Sequence, residues 1–196
     1  MKGYKKYALI GVFLIFAFVV CSPASALKAD ATDEQLKVMN EIEGTDITIG
    51  EYLQKVWPQF YDELTDEQKK KVDNWKKSWP ESAATEDKNL KTSGSKASMT
   101  TNAYISSGPN RVIYEGESNI DQPVAEYHYI EVKLKNNANQ VVSSTAFSEF
   151  DGDGYVNAEN MKFWLPSGYY TSNAWSYSLD PDTEDSDTAG PMYYSA

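Results

Sequence analysis

Oxygen ligands gather in two short stretches of this 196-residue chain. Within EFDGDGYVNAEN, the acids Glu149, Asp151 and Asp153 alternate, Gly154 permits a tight turn, and Asn157 and Asn160 follow. Together with the Tyr155 carbonyl these residues could wrap around one hard cation, because calcium takes about six to eight oxygens. The second stretch, SLDPDTEDSDTAG, carries Asp180, Asp182, Glu184, Asp185 and Asp187. With Pro181 and Gly190 it reads as a loop whose carboxylates repel one another unless solvent or a cation neutralises them. His128 is the single histidine and falls on the apolar side of an alternating segment, where a packed ring is the expectation rather than a general base. No G-x-S-x-G or comparable nucleophile motif accompanies it, and one histidine cannot build a multi-histidine zinc site. Paired-carboxylate glycoside hydrolysis needs only two suitably placed acids, but none of the 29 stands out as a pair. The chain is therefore expected to have no catalytic residues.

The stretch from Glu149 to Asn160 resembles the loop of EF-hand and dockerin calcium sites over those residues alone. The resemblance implies Glu149, Asp151 and Asp153 as the first three calcium ligands and the Tyr155 carbonyl as the fourth. Asn157 would be a direct or water-mediated fifth, with Asn160 at the closing position. Two positions depart from that family's pattern. Glu149 stands where it has Asp, and Asn160 where it has a bidentate glutamate, while Glu159 comes one residue early. Val141 to Phe147 also alternates like a strand where an EF-hand needs a helix. Three readings stand: an EF-hand proper, calcium held by an irregular loop of a β-domain, or an acidic turn between strands without metal.

Aromatic residues supply a further chemistry. Ten of the 14 tyrosines lie from Tyr104 onward, as do Trp164 and Trp175. Exposed rings on a β-domain can stack against sugars, which makes Trp175 a candidate for glycan contact. Ordinary sheet packing is the alternative.

The working compartment follows from the first residues. Lys2, Lys5 and Lys6 precede an apolar run from Tyr7 to Val20, and Ala24-Ser25-Ala26 supplies a cleavage signal. This is the pattern of a secretory signal peptide over residues 1–26, and the run is shorter than the roughly 20 residues of a spanning helix. An uncleaved membrane anchor and lipid attachment at Cys21 are the alternatives, although Val20 is a poor residue to precede a lipidated cysteine. Cleavage after Ala26 removes the only cysteine, so neither disulfides nor thiolate chemistry is expected in the exported product. With three lysines gone, 15 basic residues stand against 29 acidic ones, a net charge of −14. Arg111 is the only arginine. That balance argues against nucleic acid and anionic membranes as partners. A protein or glycan at the cell exterior is the expected partner, and no membrane span is expected once the signal is removed.

The elements that must position these groups change character near residue 80. Residues 27–80 read as helical. Thr32, Thr48 and Thr65 each precede a Glu or Gln three residues later, the capping-box signature, and Pro58 should break the second helix at Trp57. Lys69 to Lys71, with Lys76 and Lys77, read as a solvated face. Residues 81–101, rich in Ser, Thr, Ala and Lys, read as a flexible linker. Residues 102–196 read as a Tyr-rich β-sandwich of about seven strands. The clearest is Val124 to Lys135, with His128, Ile130, Val132 and Leu134 on its buried face. Tyr127, Tyr129, Glu131, Lys133 and Lys135 lie on the opposite, polar face. Met161 to Leu165 and Tyr169 to Leu179 read as a hairpin across Pro166-Ser167-Gly168. The fold class is α+β: a short N-terminal helical region followed by an antiparallel β-sandwich.

Overall fold

A computed structural model describes residues 26–79, 98–121 and 125–196. The expected signal segment, except Ala26, and most of the expected linker lie outside them. The chain begins with strand β1 (Leu27–Asp30), followed by helices α1 (Asp33–Ile42), α2 (Ile49–Val56), α3 (Pro58–Glu63) and α4 (Asp66–Asn74). Seven strands follow: β2 (Met99–Gly108), β3 (Arg111–Ile120), β4 (Ala125–Asn136), β5 (Val141–Gly152), β6 (Tyr155–Phe163), β7 (Gly168–Leu179) and β8 (Thr183–Tyr194). They form two antiparallel sheets, a five-stranded one ordered β1-β5-β4-β7-β8 and a three-stranded one ordered β2-β3-β6. The architecture is α+β with a β-sandwich. Among the described residues no helix is long and apolar enough to cross a membrane.

Local chemistry sets the helix boundaries. Thr32, Thr48 and Thr65 each accept from the amide three residues on, while Gln35, Glu51 and Gln68 return the bond to the cap amide. Each reciprocal pair satisfies two donors that a helix start leaves free. Pro58 occupies the first turn of α3, where its missing N–H costs nothing, and Trp57 ends α2.

Three layers result. Helix residues Tyr52, Leu53, Val56, Trp57 and Phe60 share one core with Tyr127, Tyr129, Trp175 and Tyr177 of the large sheet. Between the sheets, Val112, Tyr114 and Val156 pack on Ile130, Val132 and Leu134. Gly116 of β3 lets the sheets approach there, since a Cβ would lie 2.6 Å from Val132 Cγ2 and 2.9 Å from the Ala174 Cβ.

Several expectations change. β4 is buried on both faces rather than one, because the helices cover the side that carries Tyr127, Tyr129, Glu131, Lys133 and Lys135. A period-two pattern of polar residues marks the face that differs from the core, not the face that meets water. The helical region is continuous with the sandwich, sharing its core and contributing β1 beside β5. β2 begins at Met99, inside the stretch read as linker. The acidic segment Thr183 to Thr188 is not a loop but the start of β8. β6 and β7 form no hairpin; they belong to different sheets, and the turn between them is a crossover.

That acidic strand has a structural task. Asp185 Oδ2 accepts the Thr101 amide at 2.7 Å and Asp187 Oδ2 accepts the Ala103 amide at 3.0 Å. Side chains of the edge strand β8 thus bond to the backbone of the edge strand β2, blunting two open sheet edges at once. At the opposite edge Lys28 donates to the Glu159 carbonyl and Asn160 to Asp30.

Candidate functional site

The expected calcium ligands sit at the β5–β6 connection, flanked by strands on both sides. Asp151 has a positive φ of 50°, and Asp153 Oδ1 accepts the Tyr155 amide at 3.1 Å, closing an acidic turn. Glu149 folds back over Gly152. Tyr155 begins β6 opposite Asn119 and donates its hydroxyl to Glu117. Asn157 donates its Nδ2 to Glu115 Oε1, while Asn160 donates its Nδ2 to Asp30 Oδ1 and accepts the Met161 amide on its own Oδ1. Among the described residues no group of three or more His, Cys, Asp or Glu side chains converges, Glu149, Asp151 and Asp153 included.

His128 faces the inter-sheet core. Its Nε2 lies 3.0 Å from Ser118 Oγ, and Ser118 donates to Ser176 Oγ at 2.9 Å. Burial pulls its pKa down to about 4, against a smaller opposing pull from Asp153. A neutral imidazole sealed between two sheets is a core residue.

A cluster that periodicity could not reveal lies between the helices and the large sheet. Glu131, fully buried on β4, accepts the Tyr52 hydroxyl at 2.7 Å, the Trp57 indole at 2.8 Å and the Ser144 hydroxyl at 3.3 Å. Lys133 and Lys135 donate to the two oxygens of Glu43 at 3.0 and 2.8 Å. Burial pushes the Glu43 carboxyl up, but the two lysines outweigh it and hold the pKa below the ordinary range. Lys77 does not belong to the solvated face expected of it. Its Nζ lies 2.8 Å from the Trp175 ring centre, 4.6 Å from that of Tyr52 and 4.8 Å from that of Trp79. Among the described residues it has no hydrogen-bond partner, and burial, aided by Lys133, pulls its pKa well below that of an ordinary lysine. The cluster's carboxylates are already bonded to donors, and the Lys77 amine is closed to solvent. Chemically it is a lock joining helices to sheet.

The open surface lies at the far end of the same sheet face. Two irregularities shape it. β8 carries an extra residue opposite Thr171, where Gly190 takes a φ of +107° and a Cβ would meet the Tyr170 carbonyl at 2.9 Å. β4 and β5 slip register between Leu134 and Lys135. Such bulges bend strands and interrupt pairing. A groove of about 260 Å³ opens there. The β4–β5 turn gives it Asn136, Asn137 and Asn139, β7 gives Tyr169, Thr171 and Asn173, and β8 gives Thr188 and Pro191. Asn136 is spent on the turn, accepting the Ala138 and Gln140 amides. Asn173 is only 3% exposed and donates Nδ2 to Thr188 Oγ1 at 2.6 Å, yet its Oδ1 has no partner among the described residues. An unpaired buried acceptor costs about 1–3 kcal/mol. Beside it, Tyr169 and Tyr193 are more than half exposed and meet edge to face at 5.2 Å.

Trp175, the ring expected to meet sugar, is buried beneath the helices at 2% exposure. Among the described residues the exposed aromatics are Trp164, Phe163, Tyr104, Tyr155 and the Tyr169–Tyr193 pair. The alternation of β7 placed Tyr169 and Trp175 on one face, but only the extent of the helical cover decides which of them meets water. No family model, no curated protein and no solved structure matches this chain.

Proposed function

We propose that this chain is an exported, non-enzymatic binding protein of the cell exterior, and that its ligand seats in the groove beside Tyr169 and Tyr193. The observation that carries the reading is the contrast between this groove and the rest of the chain. None of its lining residues is Asp, Glu, Lys or Arg, although those types make up 24% of the sequence. A concave site with aromatic surface and a few convergent polar groups is the ordinary form of a ligand site. The groups with catalytic potential elsewhere, His128, Glu131 and Lys77, have structural surroundings that account for them. Export rests on the Lys-rich start, the apolar run and Ala24-Ser25-Ala26.

The test is retention on washed envelopes of the producing cells. The wild-type protein should sediment with them, Tyr169→Ala should reduce retention several-fold, and Tyr104→Ala, on the other sheet, should not. Failure of the wild-type protein to sediment would end this reading. Mass analysis of the exported form should give a chain starting at Leu27, and a lipid on Cys21 would replace the released protein by an anchored one.

A further inference from the structure

The groove has a chemistry narrow enough to name its ligand class. Taking the binding role proposed above as its basis, we infer that the groove is a subsite for one or two rings of a neutral glycan, with Tyr169 as the stacking face and Asn173 at the floor.

Charge excludes most alternatives. A free amino acid, a peptide terminus or a phosphate is ordinarily met by an opposite charge, and the lining side chains carry none. Among the described residues, Lys133 and Lys135 stand opposite Asn173 and Thr171 in the sheet, and both are held by Glu43. A purely apolar ligand would strand the asparagine amides and threonine hydroxyls that make up most of the wall. Sugar hydroxyls both donate and accept, and so do carboxamides and hydroxyls, so each can satisfy the other. The Asn173 carboxamide lies beneath these groups, its Oδ1 unpaired among the described residues but closed to solvent, so the accessible partners for sugar hydroxyls are the side chains above it, Asn137, Asn139 and Thr171. Its floor position follows from the strand, because Tyr169, Thr171 and Asn173 alternate along one face of β7. Tyr169 and Tyr193 add an exposed ring surface at the rim, where the C–H face of a pyranose can pack. The groove, about 260 Å³ and open on one side, offers contact to one or two sugar rings. Because the groove opens at the end of the sheet, a longer chain can continue past it.

The experiment is calorimetric titration of the purified protein with cellohexaose, maltohexaose, mannohexaose and chitohexaose, with hexagalacturonate as the anionic comparator. At least one neutral hexamer should bind, and Tyr169→Ala and Asn137→Ala, both at exposed positions, should each weaken it about tenfold without moving the unfolding midpoint. Asn173→Asp should weaken it at least as much, and side-chain amide signals of Asn137 and Asn139 should shift on titration. Binding of hexagalacturonate alone, or neutral-hexamer binding that all three variants leave intact, would overturn the assignment. If no hexamer binds while envelope retention persists and still depends on Tyr169, the glycan class is wrong and the binding role stands. If retention fails as well, both fall.

Discussion

The Tyr52 hydroxyl on α2 lies 2.7 Å from each carboxylate oxygen of Glu131 on β4, in the buried layer between helices and sheet. This contact ties an N-terminal helix to the central strand across 79 residues of sequence. Burial, reinforced by the Glu131 charge, raises the Tyr52 pKa well above its ordinary value, so the phenol keeps its proton and donates. Tyr52→Phe should cost about 1–3 kcal/mol in urea unfolding, the penalty of a carboxylate deprived of a donor. Glu131→Ala should cost more, about 3–5 kcal/mol, because Lys133 then shares only Glu43 with Lys135. Equal small losses in both variants would show that the cluster does not join the layers.

Lys77 sets a slope on the alkaline side. Its folded pKa lies well below 10.5, the value it regains on unfolding, so between those limits the unfolded chain binds the extra proton. Stability should therefore rise with pH across that interval, and Lys77 weakens the fold at neutral pH. Lys77→Met should raise the urea midpoint at pH 7 and lessen the rise between pH 7 and 9. A variant less stable than wild type at pH 7 would instead mark the aromatic cage as a net stabilising contact.

His128 acts on the acid side. Its folded pKa of about 4 lies below the ordinary 6.5, so the unfolded state binds its proton first as pH falls. The associated stability is full above pH 6.5 and is lost as pH drops toward 4, about 3 kcal/mol over that range. As the only histidine, it gives a single ring titration by NMR. A midpoint near 6.5 in the folded protein would show that the ring is solvated.

Asp185 and Asp187 should protect the β2 edge. Replacing both by Ala removes the acceptors for the Thr101 and Ala103 amides, whose hydrogen exchange should accelerate at least tenfold. The β4–β5 amides serve as the internal control. Unchanged exchange at Thr101 and Ala103 would show that the two edges hold without these carboxylates.

Calcium is expected to leave the melting temperature unchanged. Among the described residues no three acidic or histidine side chains converge, and the Asn157 and Asn160 side chains bond to Glu115 and Asp30 along β6. A rise at millimolar calcium that Asp151→Ala with Asp153→Ala abolishes would show that the turn reorganises around the ion.

Short-range features were legible in the sequence because their causes are short-range. The three capping boxes, the break at Trp57 and the alternation of β4 and β7 each depend on residues within a turn or along one strand. The same alternation placed His128 on an apolar face, where it is packed. What covers a face is a long-range matter. The polar side of β4 looked outward until helices from residues 33–74 lay over it, turning Glu131 and Lys133 into buried groups and Trp175 into core. Likewise the acidic run from Glu184 to Asp187 has loop composition, and only the neighbouring β2 amides make it a strand edge. The groove is the extreme case, drawing lining residues from a turn and two strands that converge only when both bulges bend the sheet. Composition and local pattern determined the α+β class, the helix boundaries and the acidic surface. The tertiary structure decided which polar groups are sealed and which remain open, because burial depends on what packs against a residue and not on the residues beside it in the chain.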